Sequence, residues 1–111
     1  MADFQQRLTE LHALDARVVA LSSDDKAGAD TTVESLKLQY PVFYGLDAEA
    51  TSAAIGCYTG THAGTAHVQP AAFVLDADGT IALATYSTGK VGRLTAEDAV
   101  ILAGDLKKAR A

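Results

Sequence analysis

The stretch Thr65–Ser87, TAHVQPAAFVLDADGTIALATYS, decides the fold. Phe73, Val74 and Leu75 read as one strand, Asp76-Ala77-Asp78-Gly79 as a tight turn, and Ile81, Leu83, Thr85 and Tyr86 as the return strand. Pro70 stands at the mouth of the first strand, where a residue lacking an N–H costs the ladder nothing. An X-Pro bond is also the peptide bond whose cis form costs least, about 0.5–1 kcal/mol. On the residues alone, an ordinary trans proline opening a strand is the favoured reading.

Working outward, Phe4, Leu8, Leu11 and Leu14 recur at helical spacing and predict an amphipathic helix over residues 2–14, with His12 at its partly buried edge. Val18, Val19, Ala20 and Leu21 form an unbroken apolar run, suited to a parallel strand covered on both faces. The stretch SSDDKAGAD has loop composition, and Thr31 with Glu34 forms a possible capping box for a helix reaching about Gln39. Pro41 stops that helix before the short apolar run Val42-Phe43-Tyr44. Asp47 can cap a third helix, AEATSAAI, which Gly56 ends. The following GCYTGTHAGTAH shows no clear period and reads as a loop or in part a poorly marked strand. Thr95 with Asp98 can cap the last helix, whose inward residues are Ala99, Val100, Leu102, Ala103 and Leu106. Lys107, Lys108 and Arg110 lie at its end, where cations favour the helix dipole. The whole predicts a single α/β domain over residues 1–111.

Composition narrows the function. The 111 residues carry a net charge of −5, which argues against nucleic-acid binding, since that needs clustered Lys and Arg. No apolar run is long enough to span a bilayer, and the N-terminal MADFQQRLTE lacks the apolar stretch of a signal peptide. The single cysteine, Cys57, excludes an internal disulfide and any Cys-x-x-Cys pair within these residues. A reducing, cytoplasmic compartment is the expectation.

Few residues suggest chemistry. Cys57 can act as a lone redox cysteine, cycling through sulfenic acid, with His62 and His67 nearby in sequence. The stronger reading is that it packs as a small hydrophobe, because no helix N-terminus follows it. Cys57, His62 and His67 have irregular spacing and no evident fourth ligand, so no metal is expected. Asp24, Asp25 and Asp30 read as a solvated loop with helix caps, and the Asp76–Gly79 turn lacks the later ligands of a calcium loop. Neither GTHAG nor STGKVGR has the spacing of a phosphate-binding loop. Arg93, after Gly92, can hold an anion or simply settle beside the entry to the last helix.

The order of these elements resembles a thioredoxin fold, and more narrowly the peroxiredoxin-like alkyl hydroperoxide reductase and thiol-specific antioxidant family. ADFQQRLTELHALDARVVALSSDD is similar to that family's first long helix, its next strand and the Ser-x-Asp loop. YPVFYGLDAEATSAAIGCY, HVQPAAFVLDADGTI and GRLTAEDAVILAGDLKKA resemble the segments that follow, including the proline-led hairpin and the closing helix. The resemblance implies a central mixed sheet flanked by helices, no cofactor, and thiol-dependent reduction of peroxides or disulfides as the parent activity. It also implies that Pro70 is the family's cis-proline, and that Gln69 and Pro70 form the substrate-binding loop.

The family's redox cysteine sits on a turn between a central strand and the first long helix. Here Met1 falls within that helix, so the sequence predicts a domain lacking that strand and turn, and impaired or inactive as a catalyst. The missing strand would lie between those carrying Val18–Leu21 and Phe73–Leu75. Direct pairing of those strands, insertion of a piece of residues 57–68, a homodimer or strand-donating partner, or a longer natural chain would each close the gap. The alternatives to the redox reading are a non-catalytic assembly module and a one-cysteine redox protein using Cys57. A thiol reductant is the partner that the redox readings imply.

Overall fold

The computed structural model describes residues 1–110. Helix α1 (Ala2–Gln6) and helix α2 (Leu8–Ala13) replace the one helix expected over residues 2–14. The break lies at Arg7, whose φ of −105° and ψ of 9° leave the helical region. Its guanidinium turns to the Glu10 carboxylate at 2.7 Å. Leu8 and Leu11 are nevertheless buried, as their spacing predicts, whereas His12 is exposed rather than at a buried edge.

Strand β1 (Ala20–Leu21) pairs in parallel with β2 (Val42–Phe43), with Ala20 opposite Val42 and Leu21 opposite Phe43. Helix α3 (Lys26–Leu36) connects them. It begins well before the expected Thr31–Glu34 capping box. The Asp25 carboxylate accepts the Gly28 N–H at 2.8 Å and so nucleates the helix inside the segment read as a loop. Thr31 is instead mid-helix, its hydroxyl donating to the Ala27 carbonyl at 2.9 Å. The core gathers here. Leu8, Leu38 and Tyr40 are buried together, with Phe4, Val18, Ala20, Val33 and Val42 packed on them.

Helix α4 (Ala48–Ile55) is capped as predicted, with the Asp47 carboxylate accepting the Ala50 N–H at 2.8 Å and Gly56 closing it at φ 77°. The segment without a period forms a hairpin, β3 (Thr59–His62) and β4 (Thr65–Val68). A second hairpin, β5 (Ala71–Leu75) and β6 (Ile81–Tyr86), agrees with the sequence reading apart from two more residues at its start.

Helix α5 (Ala96–Arg110) closes the described chain and buries Ala96, Ala99 and Ala103. The Thr95 hydroxyl accepts the Asp98 N–H at 3.1 Å, and Asp3 reaches across from α1 to accept the Ala96 N–H at 3.0 Å. Partial burial pushes the Asp3 carboxyl up, but the Ala96 N–H and the terminal ammonium outweigh it and hold it below the usual carboxylate range.

The strands do not merge into the expected central mixed sheet. Among the described residues they form three separate two-stranded sheets, β1–β2, β3–β4 and β5–β6. Two of the anticipated ways to close the gap are therefore not used: β1 and β5 do not pair, and residues 59–68 fold on themselves instead of inserting. The α/β class holds, while the sheet is left in pieces.

Candidate functional site

The sequence-predicted site residues, Cys57, Gln69 and Pro70, meet where α4 hands over to the hairpins. Gly56 turns the chain out of α4 through a left-handed conformation that glycine adopts without strain. Cys57 follows and is 3 % exposed. Its carbonyl accepts the Ser52 hydroxyl at 2.6 Å, which ties the residue back to the helix it has just left. Tyr86 steadies the same corner, its hydroxyl donating to the Ile55 carbonyl at 2.9 Å.

Tyr58, next to Cys57, links to the Gln69–Pro70 loop, because its carbonyl accepts the Gln69 N–H at 2.8 Å. This extends the β3–β4 ladder by one step and sets the loop beside Cys57 in the backbone. The Gln69–Pro70 peptide bond is trans, and no cis peptide occurs among the described residues. That corrects the cis-proline implied by the family resemblance and agrees with the plainer reading of the residues. Pro70 sits one residue before β5, where its carbonyl accepts the Ser87 N–H at 2.9 Å and its missing N–H is not needed.

The Gln69 side chain has an unusual setting. In the hairpin register Gly60 lies opposite His67. Because Gly60 has no Cβ, the Gln69 amide nitrogen and the His67 ring crowd over its backbone. A methyl group built there would meet Gln69 Nε2 and would lie 3.0 Å from His67 Nε2. The Gln69 carbonyl oxygen, Oε1, is buried without a hydrogen-bond partner. A buried acceptor in that state costs free energy of order 1–3 kcal/mol, so it is a ready seat for a donor.

The histidines divide. His67 is half-buried beside Gln69, whereas His62 pairs with Thr65 at the exposed hairpin tip. No group of three or more His, Cys, Asp or Glu placed to hold a metal ion occurs among the described residues. Arg93 is exposed and precedes α5. Sequence reasoning missed Gly60 and Tyr58. The signal that would have found Gly60 was its two-residue alternation with His62, inside a segment bounded by a second glycine at the turn.

Helices packed beside short strands, with a proline-led hairpin, define an α/β protein. The family model described as the AhpC/TSA family matches residues 1–84, and the chain belongs to that family. The match runs from α1 into β6 and leaves α5 outside. No curated protein matches the chain. No helix among the described residues is long and apolar enough to cross a membrane.

Proposed function

We propose that this chain carries the fold of a thiol-dependent peroxide or disulfide reductase, uses Gln69 and Pro70 as its substrate-facing loop, and turns over little by itself. The family match over residues 1–84 carries the reading. The unpartnered Gln69 carbonyl oxygen supports the loop assignment, since a bound hydroperoxide or peptide amide would supply the missing donor.

The limit on turnover comes from the thiol. Peroxide reduction needs a thiolate whose sulfur attacks the O–O bond. The sulfur becomes sulfenic acid and the alcohol or water leaves. One reductant thiol then condenses with the sulfenic acid, releasing water, and a second frees the cysteine as the reductant becomes a disulfide. Cys57 is this chain's one thiol, and it is buried. It lies past the C-terminal end of α4, which is electronegative, whereas catalytic thiolates are held at helix N-termini. Its role here is packing.

The test is hydrogen peroxide consumption by the 111-residue chain with dithiothreitol as reductant, beside Cys57→Ser. The expected result is the same rate for both, equal to the reductant alone. Turnover that vanishes in Cys57→Ser would overturn the packing role and make Cys57 the nucleophile of a one-cysteine redox protein.

A further inference from the structure

The turn that closes β5–β6 holds the one Asp-Gly pair of the chain, Asp78-Gly79. Such a pair carries a reaction of its own. The aspartyl carboxyl can reach the backbone nitrogen of the next residue, and a glycine there has no side chain to block the approach. Gly79 stands at φ 87°, nothing lies within 4 Å of the position a Cβ would take, and both residues are exposed.

In the closed turn both reacting groups are engaged. The Gly79 N–H donates to the Asp76 carbonyl at 2.9 Å, and the Asp78 carboxylate accepts the Thr80 N–H, also at 2.9 Å. The second bond favours the charged carboxylate and holds the Asp78 carboxyl below its usual range. A charged carboxylate has no hydroxyl to lose as water, so the same bond lowers its reactivity.

Asp76 fastens the turn. Its N–H donates to the Thr80 carbonyl at 2.8 Å. Its carboxylate accepts the Ala77 N–H at 2.8 Å and the Arg110 guanidinium at 2.9 Å. Arg110 ends α5, so the turn is tied to a helix distant in sequence.

We propose that Asp78 is the chain's site of spontaneous aspartate isomerisation, and that the turn with its Arg110 tie is the gate. When the turn opens locally, the Gly79 nitrogen attacks Cγ of the protonated Asp78 carboxyl. A C–N bond forms, the carboxyl hydroxyl leaves with the amide proton as water, and a cyclic succinimide results. Water then adds back at one of the two imide carbonyls. Breaking the new C–N bond restores aspartate. Breaking the original peptide bond instead leaves isoaspartate, whose main chain runs through the former side chain. The water lost is regained, and no oxidant or reductant takes part. The Asp78–Thr80 bond does not survive the change, because the carbon that held it has become backbone. The inference is independent of the redox reading, since it uses neither Cys57 nor Gln69.

Peptide mapping of the full 111-residue chain tests it. The protein is held at neutral pH in native buffer and in unfolding urea, with circular dichroism confirming each state. Isoaspartate is then located by mass spectrometry after digestion with an aspartate-specific endoproteinase, which passes over isoaspartate. The expected result is isoaspartate at residue 78 ahead of every other aspartate, accumulating several-fold faster in urea than in buffer. Arg110→Gln is expected to raise the rate in buffer, by up to about fivefold for a partly exposed ion pair, and to leave the rate in urea unchanged. Asp78→Glu should abolish the product, since its longer side chain closes the larger ring reluctantly. Earlier isoaspartate at another position, equal rates in buffer and urea, or no acceleration by Arg110→Gln in buffer would overturn the proposal.

Discussion

The two hairpins that follow α4 are built on opposite plans. β5–β6 is apolar along its strands and acidic at its turn, with Ala71, Phe73 and Val74 half-buried and Asp76 and Asp78 at the bend. β3–β4 is polar along its strands, with Thr59, Thr61 and Thr65 exposed, and its turn is Ala63-Gly64, both at positive φ. The β5–β6 hairpin is held by side chains meeting side chains. The β3–β4 hairpin is held by what its backbone permits: a glycine that lets two side chains lie across it, and a turn that twists with its strands. A hairpin of the β5–β6 kind announces itself in hydrophobic pattern, and one of the β3–β4 kind does not.

The sharpest way to break this comparison is Phe73→Ala. Its ring meets Tyr86 edge-on, with centroids 5.7 Å apart and an interplanar angle of 84°. Because Phe73 is only half-buried, truncation is expected to cost about 2–3 kcal/mol, below the range for fully buried rings. Urea unfolding reads it, and a loss below about 0.5 kcal/mol, the level of a surface change, would mean that side-chain packing does not hold β5–β6. Gly60→Val probes the other plan. The new side chain must displace Gln69 and His67, partly offset by better strand propensity, for a net loss of about 1 kcal/mol. NMR should show β3–β4 shifts changing while those of β5–β6 stay in place; if the Gln69 side-chain amide signals do not move, the close approach over Gly60 is absent.

What the sequence disclosed follows the same division. The β5–β6 strands, the Asp47 cap and the Gly56 stop were legible because each is a local signal with a local cause. The start of α3 was misread because Asp25 and Thr31 both suit an N-cap, and the residues alone do not rank them. The β3–β4 hairpin escaped because Thr, Gly and His carry little pattern. The sheet's division was hidden more deeply. Strand pairing is a long-range matter, and the apolar run Val18–Leu21 reads as buried on both faces, whereas Val19 and Leu21 are exposed. That reading holds for a strand with a neighbour on each side, and β1 has a neighbour only in β2. Of the proposed site, Cys57, Gln69 and Pro70 stand out in the sequence itself, whereas the crowding over Gly60 depends on cross-strand register.

A smaller effect tests the turn of β3–β4. Ala63 holds φ 51°, a left-handed conformation costly for a residue with a Cβ. Ala63→Gly relieves that cost and loses part of the gain to unfolded-state entropy, so a stabilisation of about 0.5 kcal/mol is expected. Thermal unfolding reads it. A destabilised variant would show that Ala63 does not sit in the left-handed region and that backbone permissiveness is not what closes this turn.

The smallest effect separates the hairpins by pH. The Asp78 carboxylate accepts the Thr80 N–H at 2.9 Å, and that bond holds its carboxyl below the usual range. The sign follows from the depressed value. The bond's contribution is fully present above the unfolded-state value, near pH 4, and is lost as pH falls through the lower folded-state value. Acidification should therefore move the Thr80 amide resonance and speed its exchange, and Asp78→Asn should remove the titration. Residues 59–68 contain no carboxylate, so over the acid range in which carboxylates titrate the Thr65 amide serves as the control within the same sample. If both amides respond alike, acid is loosening the whole fold through other carboxylates, such as Asp3 at the start of α5. If Thr80 alone responds, the two hairpins are closed by different physics.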